Sequence, residues 1–310
     1  MKGSYNVGGF VGYLINTSSG TGSITNSYAT GMVTGTVDSA GGFAGYADLN
    51  FTGSVSNVYA MGAVKGNARV GGLVGYADKG TFSNAFSTGY VTSTSNAATI
   101  GGSFGAVSNT SVSSVYNVTR NNLYYDTTTS NRTTDATGGG GTGAATGLAT
   151  TALQGALSLT NFSTTYWAAG TGLYPYLKTF YPNTPQAISG IATLSNGGLA
   201  ARAQIGLYGN GMLLNGGTAS AGVNGYYYEI VGTGALRSDA MLPITATTKL
   251  GATLTVDGQT TVAGMVYSDA QTLTNNNVSL VDGSTLVGLK MGLTRQRTGA
   301  ATGTALNTDL

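Results

Sequence analysis

The chain of 310 residues carries 13 Lys and Arg against 11 Asp and Glu, a net charge of +2 with only 8% charged residues, and it is rich in Gly (51) and Tyr (19). So thin a charge, with no Lys/Arg run, excludes a nucleic-acid face or an anionic-membrane patch, and the aromatic content argues against a disordered chain. Histidine and cysteine are absent, which excludes a Ser-His-Asp triad, a Cys-His dyad and a His-ligated metal.

From the N-terminus, GGFVGY stands at 8 to 13, GGFAGY at 41 to 46, GGLVGY at 71 to 76 and a worn GGSFGA at 101 to 106, so the copies lie 33, 30 and 30 residues apart. A second motif keeps step: ITNSYATGMVTG from 24, VSNVYAMGAVKG from 55, FSNAFSTGYVTS from 82 and VSSVYNVT from 112. Ile24, Val55, Phe82 and Val112 share one column, and Tyr28, Tyr59, Phe86 and Tyr116 another. Short runs of β-branched, aromatic and small residues bounded by Gly, Asn and Ser are strand-and-turn patterns without helical periodicity. Each unit therefore reads as one turn of a β-solenoid, a parallel β-helix of about four turns over residues 1–125, with like residues stacked in ladders inside. Gly8, Gly9 and Gly12, with Gly41, Gly42 and Gly45, Gly71, Gly72 and Gly75, and Gly101, Gly102 and Gly105, lack a Cβ and let the backbone bend or approach the next turn. A phosphate-cradling loop is the functional rival, but no Gly-Lys-Ser/Thr and no helix pattern follows.

The two motifs together resemble the GLUG repeat over residues 5–126, with Ser103 and Ala106 departing from it where the stack is expected to end. That resemblance implies a large bacterial surface or secreted protein of the filamentous-haemagglutinin-like adhesin kind. Some immunoglobulin A peptidases also carry the repeat, but their HExxH zinc motif needs His, so their activity is not carried over. Absence of Cys suits an exported β-solenoid that crosses envelopes unfolded. No apolar run is long enough to span a bilayer, no signal peptide stands at Met1, and Met1-Lys2-Gly3 leads at once into SYNVGGFVG, as though a longer repeat array had been cut.

From Asn121 the texture changes to NNLYYDTTTSNRTTDATGGGGTGAATGL. Residues 147–159 hold a short helix pattern, with Thr150 or Thr151 as N-cap and Leu153, Leu157 and Leu159 on its apolar side. Phe162, Trp167 and the YPYL of Tyr174, Pro175 and Leu177 then form a hydrophobic cluster, expected to seal the open end of the solenoid. This order is similar to what often follows a last GLUG repeat, and the resemblance extends the capping role to Tyr124, Tyr125, Asp126 and Leu153. A sugar-stacking platform at Trp167 is the rival reading. Residues 126–187 are thus a cap and linker, with two of the four prolines in the joint YPNTPQA at 181–187.

Residues 188–310 read as short strands with turns at Asn196-Gly197, Asn224-Gly225, Asp257-Gly258 and Asp282-Gly283, a β-sandwich-like spacer. Up to about 250 they resemble the carboxypeptidase-regulatory-like β-sandwich, through Gly190, Ala203, Gly225 and Tyr226. The last sixty residues either finish that sandwich or begin another unit.

Paired carboxylates are the one remaining route to catalysis. Asp48 and Asp78 occupy matching places, thirty residues apart, so a solenoid would stack them as a polysaccharide lyase or hydrolase requires. Repetition explains the match without chemistry, since Ile15 and Ser108 fill the same place in the other copies. No Asp-x-Asp cluster supports calcium, and Lys65 interrupts the Thr array, Thr34, Thr36, Thr92 and Thr94, that an ice-binding face needs. The expectation is an all-β adhesin or rod at the bacterial cell surface or outside the cell, with no catalytic, cofactor or metal residues. Its partner would be a host or neighbouring-cell glycan or protein, or another copy of itself.

Overall fold

The computed structural model describes residues 1–16, 22–49, 53–96, 98–108, 117–136, 142–155, 157, 161–194, 196–209 and 212–232, and beyond them the strand residues 250–256, 259–264, 278–279, 292–293 and 306–307. The chain divides into two units, Met1–Phe180 and Tyr181–Leu310.

The first unit is a parallel β-solenoid whose circuits each lay down three strands. Circuit one is β1 (Lys2–Gly8), β2 (Val11–Ile15) and β3 (Ser23–Ala29). Circuit two is β4 (Val33–Gly41), β5 (Ala44–Asp48) and β6 (Ser54–Ala60). In circuit three β7 (Val64–Gly66) and β8 (Arg69–Gly71) share the first face, and β9 (Val74–Ser87) turns the corner between the second and third. Circuit four has β10 (Val91–Ser93) and β11 (Thr99–Gly101), β12 (Phe104–Val107) and β13 (Val118–Asp126); residues 109–116, with Val112 and Tyr116, lie outside the described residues. Every ladder along the three faces is parallel and links motif to motif: Gly8 to Gly41, Gly41 to Gly71, Gly71 to Gly101, and Tyr28 to Tyr59 to Phe86.

The Gly-Gly pairs make the corner between the first and second faces, where the circuits touch backbone to backbone. A Cβ on Gly42 would fall onto the carbonyl oxygen of Gly72 and lie 2.9 Å from the Ala60 methyl. Room, not torsional freedom, is what the glycine supplies there. The interior is then filled by Phe43 and Leu73 from the corner, Ala44, Ala47, Val74, Ala77 and Phe104 from the second face, and Val55, Val58, Phe82 and Ala85 from the third.

One residue in each third-face strand breaks the strand's alternation. Asn26, Asn57, Asn84 and Asn122 have φ of 48°, 53°, 51° and 51°, a left-handed conformation that Asn tolerates better than most residues. Strict alternation from the buried Val55 would carry Tyr59 inward. The kink at Asn57 resets the parity, so Val58 and Ala60 enter the core and Tyr59 points out. The tyrosine column is therefore a ladder, as the spacing predicts, but on the outer side of the third face. Its fourth member among the described residues is Tyr124, which pairs with Phe86.

The stack ends in substitutions within the fourth circuit. Arg120 takes the place paired with Phe82, Tyr125 the place paired with Ser87, and Ala106 the place paired with Tyr76. Residues 134–136 and 142–148 lie over this end: Thr134 accepts from Gly102, Ala136 donates to Phe104, Thr142 exchanges bonds with Val118 and Arg120, and β14 (Thr146–Leu148) adds to β13. Two single-turn helices flank it, α1 (Thr127–Ser130) and α2 (Thr150–Leu153). Of the helix expected over 147–159, the described residues show β14 at 146–148, α2 and a turn at 154–155, with residues 156, 158 and 159 outside them; the N-cap of α2 is Ala149 without a side-chain bond, and the Thr150 hydroxyl donates to Asp126. Leu153 is buried, and Leu159 lies outside the described residues.

The second unit is also all-β. β17 (Gln186–Thr193) pairs antiparallel with β20 (Tyr226–Val231), and β18 (Gln204–Gly209) lies antiparallel between β19 (Met212–Ser220) and β21 (Leu250–Val256). Ile188, Ala192, Ile205, Leu207, Ala219, Tyr227 and Val231 from both sheets meet in one core. Burial raises the Tyr227 phenol well above its ordinary value. β22 (Gln259–Gly264) pairs antiparallel with β21 from Val256↔Gln259, and the turn expected at Asp257-Gly258 lies outside the described residues. Asn196-Gly197 closes a tight turn, with Gly197 at φ 82°. Asn224-Gly225 does not close a hairpin: it carries the chain from β19 in one sheet to β20 in the other. Asp282-Gly283 lies outside the described residues.

Candidate functional site

A rod of stacked circuits offers its three outer faces and its two ends. The third face is aromatic and covered. Tyr28 stacks on Tyr59 at 4.9 Å and Tyr59 on Phe86 at 5.2 Å, ring planes nearly parallel. Over them lies the segment expected to be an end seal. Phe180 meets Tyr28 at 4.9 Å, Trp167 meets Tyr59 and Phe86 at 6.2 and 5.9 Å, Tyr174 meets Phe86 at 6.1 Å and Phe162 meets Tyr124 at 5.7 Å. The cover thus runs along the flank from the last circuit back to the first, and residues 134–136 and 142–148 lie over the end. β15 (Trp167–Gly170) and β16 (Leu173–Leu177) form its antiparallel core, in which Pro175 and Leu177 are buried. A rod whose third face carries outward aromatic rings needs such a layer more than it needs a lid.

Two polar bolts fix the cover. The Trp167 indole N–H donates to Asn57 Oδ1 at 3.0 Å, so one Asn of the kinked column also anchors the layer. The buried Asp126 accepts from the backbone N–H groups of Thr128 and Thr129, from the Thr150 hydroxyl at 2.7 Å and from the Tyr174 hydroxyl at 2.6 Å. Trp167, with its ring under 2% exposed, is not a sugar-stacking platform. The Asn column was missed in the sequence, although Asn26, Asn57 and Asn84 stand at one place of the second motif.

The second face carries a half-exposed column, Tyr13, Tyr46 and Tyr76, spaced 4.9 and 5.1 Å apart. Arg69 lies over the Tyr76 ring at 4.1 Å, and its guanidinium pairs with Asp38 of the preceding circuit. That hydrogen bond holds the Asp38 carboxyl below its ordinary range. Burial pushes the Tyr46 phenol up to about 12, with Asp78, Tyr76, Tyr13 and Asp48 adding to the rise.

The structure does not bring Asp48 and Asp78 into one stack. A bulge between Ala47 and Asp48 slips the register, so Asp48 pairs with Lys79, whose ammonium stands 3.6 Å from Asp48 Oδ1. The extra residue of the shift is Asp78 itself, which stands between the partners of Ala47 and Asp48. On the first face, Thr34 pairs with Lys65 and Lys65 with Thr92, and the Thr36 and Thr94 hydroxyls donate to the carbonyls of Gly3 and Gly66 in neighbouring circuits. Among the described residues no group of three or more His, Cys, Asp or Glu stands together as a metal site.

At the closed end, Asp135 Oδ1 accepts from the Ser103 and Phe104 N–H groups at 2.9 and 2.7 Å. In the circuits below, a carbonyl does this: Phe43 O takes Phe10 and Val11, Leu73 O takes Phe43 and Ala44, Ser103 O takes Leu73 and Val74. The carboxylate therefore stands in for the carbonyl of an absent circuit. Burial raises its pKa against the pull of those N–H groups and of Arg120, which lies 3.3 Å away.

A family model described as the GLUG motif matches residues 3–34, the whole first circuit and the start of the second. No curated protein and no solved structure matches the chain. Circuits two to four carry the motif's glycines at register-matched positions, so the repeat read from spacing is a structural repeat.

Proposed function

We propose that the chain is a rod segment of a secreted or surface-displayed bacterial adhesin that mediates attachment or self-association. The observation that carries this reading is the register-matched stack itself. It spends its repeated residues on a stiff core and leaves Tyr, Thr and Asn side chains along its flanks. The GLUG match is consistent with such surface repeat proteins. On this reading the second unit is a spacer similar to the carboxypeptidase-regulatory-like sandwich, and the parent is similar to filamentous-haemagglutinin-like proteins. The partner is a host or neighbouring-cell glycan or protein, or a further copy.

Immobilised chain exposed to glycans, matrix proteins and the chain itself tests the proposal. Saturable binding to at least one of the three is expected; silence on all three contradicts attachment. The rival polysaccharide-cleaving reading rests on Asp48 beside Asp78, and the Asp48–Lys79 pair removes its geometric motive.

A further inference from the structure

We propose that a basic segment of a partner protein docks on the second face of the rod, where Asp78 and Tyr46 together receive an arginine side chain of the partner. The proposal rests on the attachment reading above and names the chemistry of its partner. The register shift after Ala47 leaves Asp78 as the extra residue of its strand, unmatched in the ladder between circuits two and three. Bulges re-aim side chains in this way beside functional sites. Asp78 is half-buried and stands close to the half-buried Tyr46: burial is the main cause of the raised Tyr46 phenol pKa, and the Asp78 charge is the next. Tyr13 and Tyr76 flank the Tyr46 ring at 4.9 and 5.1 Å along the column, so a ligand meets its outer edge and hydroxyl.

The neighbouring charges are already answered. Arg69 donates to Asp38, and the Lys79 ammonium stands 3.6 Å from Asp48. Asp78 has neither a hydrogen bond nor an ion pair among the described residues. The patch therefore sets the cations Arg69 and Lys79 against the carboxylates of Asp38, Asp48 and Asp78, and a negative charge is left over at Asp78. The rod itself shows what satisfies such a place. Asp38 of circuit two and Tyr76 of circuit three hold the Arg69 guanidinium, which lies 4.1 Å from the ring centre. Asp78 of circuit three and Tyr46 of circuit two offer the same two groups from adjacent circuits, with no cation between them. A guanidinium answers both, donating to the carboxylate and to the phenol oxygen. A neutral sugar leaves that charge unanswered, and an anionic one is repelled by it.

The test is an NMR titration of the isotope-labelled whole chain with a Gly-Arg repeat peptide, beside its Gly-Glu counterpart and a neutral chitin oligosaccharide. Expected are saturable amide shifts centred on Tyr46, Asp78 and Lys79 with the Gly-Arg peptide alone, weakened by added salt. The dissociation constant should rise at least about tenfold in Asp78→Asn and about threefold in Tyr46→Phe. In Asn121→Lys, which makes the same change of net charge at an exposed position of the third face, it should stay within about twofold. Asn and Phe keep the size of the side chains they replace, and unshifted spectra away from the site verify the fold. No shift with the Gly-Arg peptide, shifts centred elsewhere, equal losses in Asp78→Asn and Asn121→Lys, or shifts at the site from the oligosaccharide instead overturn the proposal. Glycan, matrix or self binding retained in full by Asp78→Asn leaves attachment standing and removes this site from it; site-centred arginine binding by a chain silent on all three surfaces does the reverse.

Discussion

Asn57 combines two tasks, a backbone torsion that few residues accept and an acceptor for the Trp167 indole. The two can be pulled apart. Asn57→Gly keeps the left-handed torsion and loses the bond, and is expected to cost about 1 kcal/mol. Asn57→Val loses both and adds the strain of a β-branched residue at positive φ, so several kcal/mol are expected; equal losses in a denaturation series would contradict the account. Asp38 supplies the pH dependence. Its pKa is lowered in the fold by Arg69, so its contribution is complete above the ordinary value of 3.8 and disappears as pH falls through the lower folded value. Asp38→Asn should melt slightly earlier than the unaltered chain at neutral pH, and the gap should close in acid. The residue scale is also where the sequence misleads. Tyr28, Tyr59 and Phe86 are legible as a column because like residues recur, but inward or outward depends on parity, and one left-handed Asn between Val55 and Tyr59 reverses it. Spacing alone carries no sign of that torsion.

The elements added after the last repeat divide the work of closure between a flank cover and an end cap. Trp167→Ala removes the largest ring of the cover and should destabilise the first unit by about 3–5 kcal/mol, measured by chemical denaturation. A loss under about 1 kcal/mol would mean that the layer is not packed on the tyrosine ladder. At the end cap, removing either partner of the Arg120–Asp135 pair strands a buried charge, at a cost of about 3–5 kcal/mol. Arg120→Leu with Asp135→Asn restores an apolar column above Phe82 and keeps a carbonyl for the Ser103 and Phe104 N–H groups. The double variant should recover most of that loss, and strict additivity of the single costs would refute the pairing. The cap's residues were readable as a hydrophobic cluster, but its site was not. Phe162, Trp167 and Tyr174 fit the end of a stack or its flank equally well until the ladder's outward direction is known. Asp135 gave no sequence signal, because a carboxylate imitating a carbonyl has no motif.

At the scale of the molecule, the repeat spacing was enough to read parallel circuits and their glycine corners, since only stacking lets units of about thirty residues share a core. The faces were less legible. A single register shift after Ala47 pairs Asp48 with Lys79 and leaves Asp78 as the extra residue, so the matched carboxylate pair that a residue alignment would build is not formed. The second unit follows its turn signals in part: Asn196-Gly197 closes a tight turn, while Asn224-Gly225 joins strands of different sheets, a distinction set by tertiary pairing. Everything said of the flanks and ends rests on the register of the circuits, and the absence of cysteine allows that register to be measured directly. Ser56 pairs with Ser83 across circuits two and three, two residues beyond the Ser54–Thr81 pair. In the double variant Ser56→Cys/Ser83→Cys a short thiol crosslinker should join the two positions in high yield, and in Ser56→Cys/Thr81→Cys it should not. The reverse preference, or no crosslink in either, would contradict the stacked circuits.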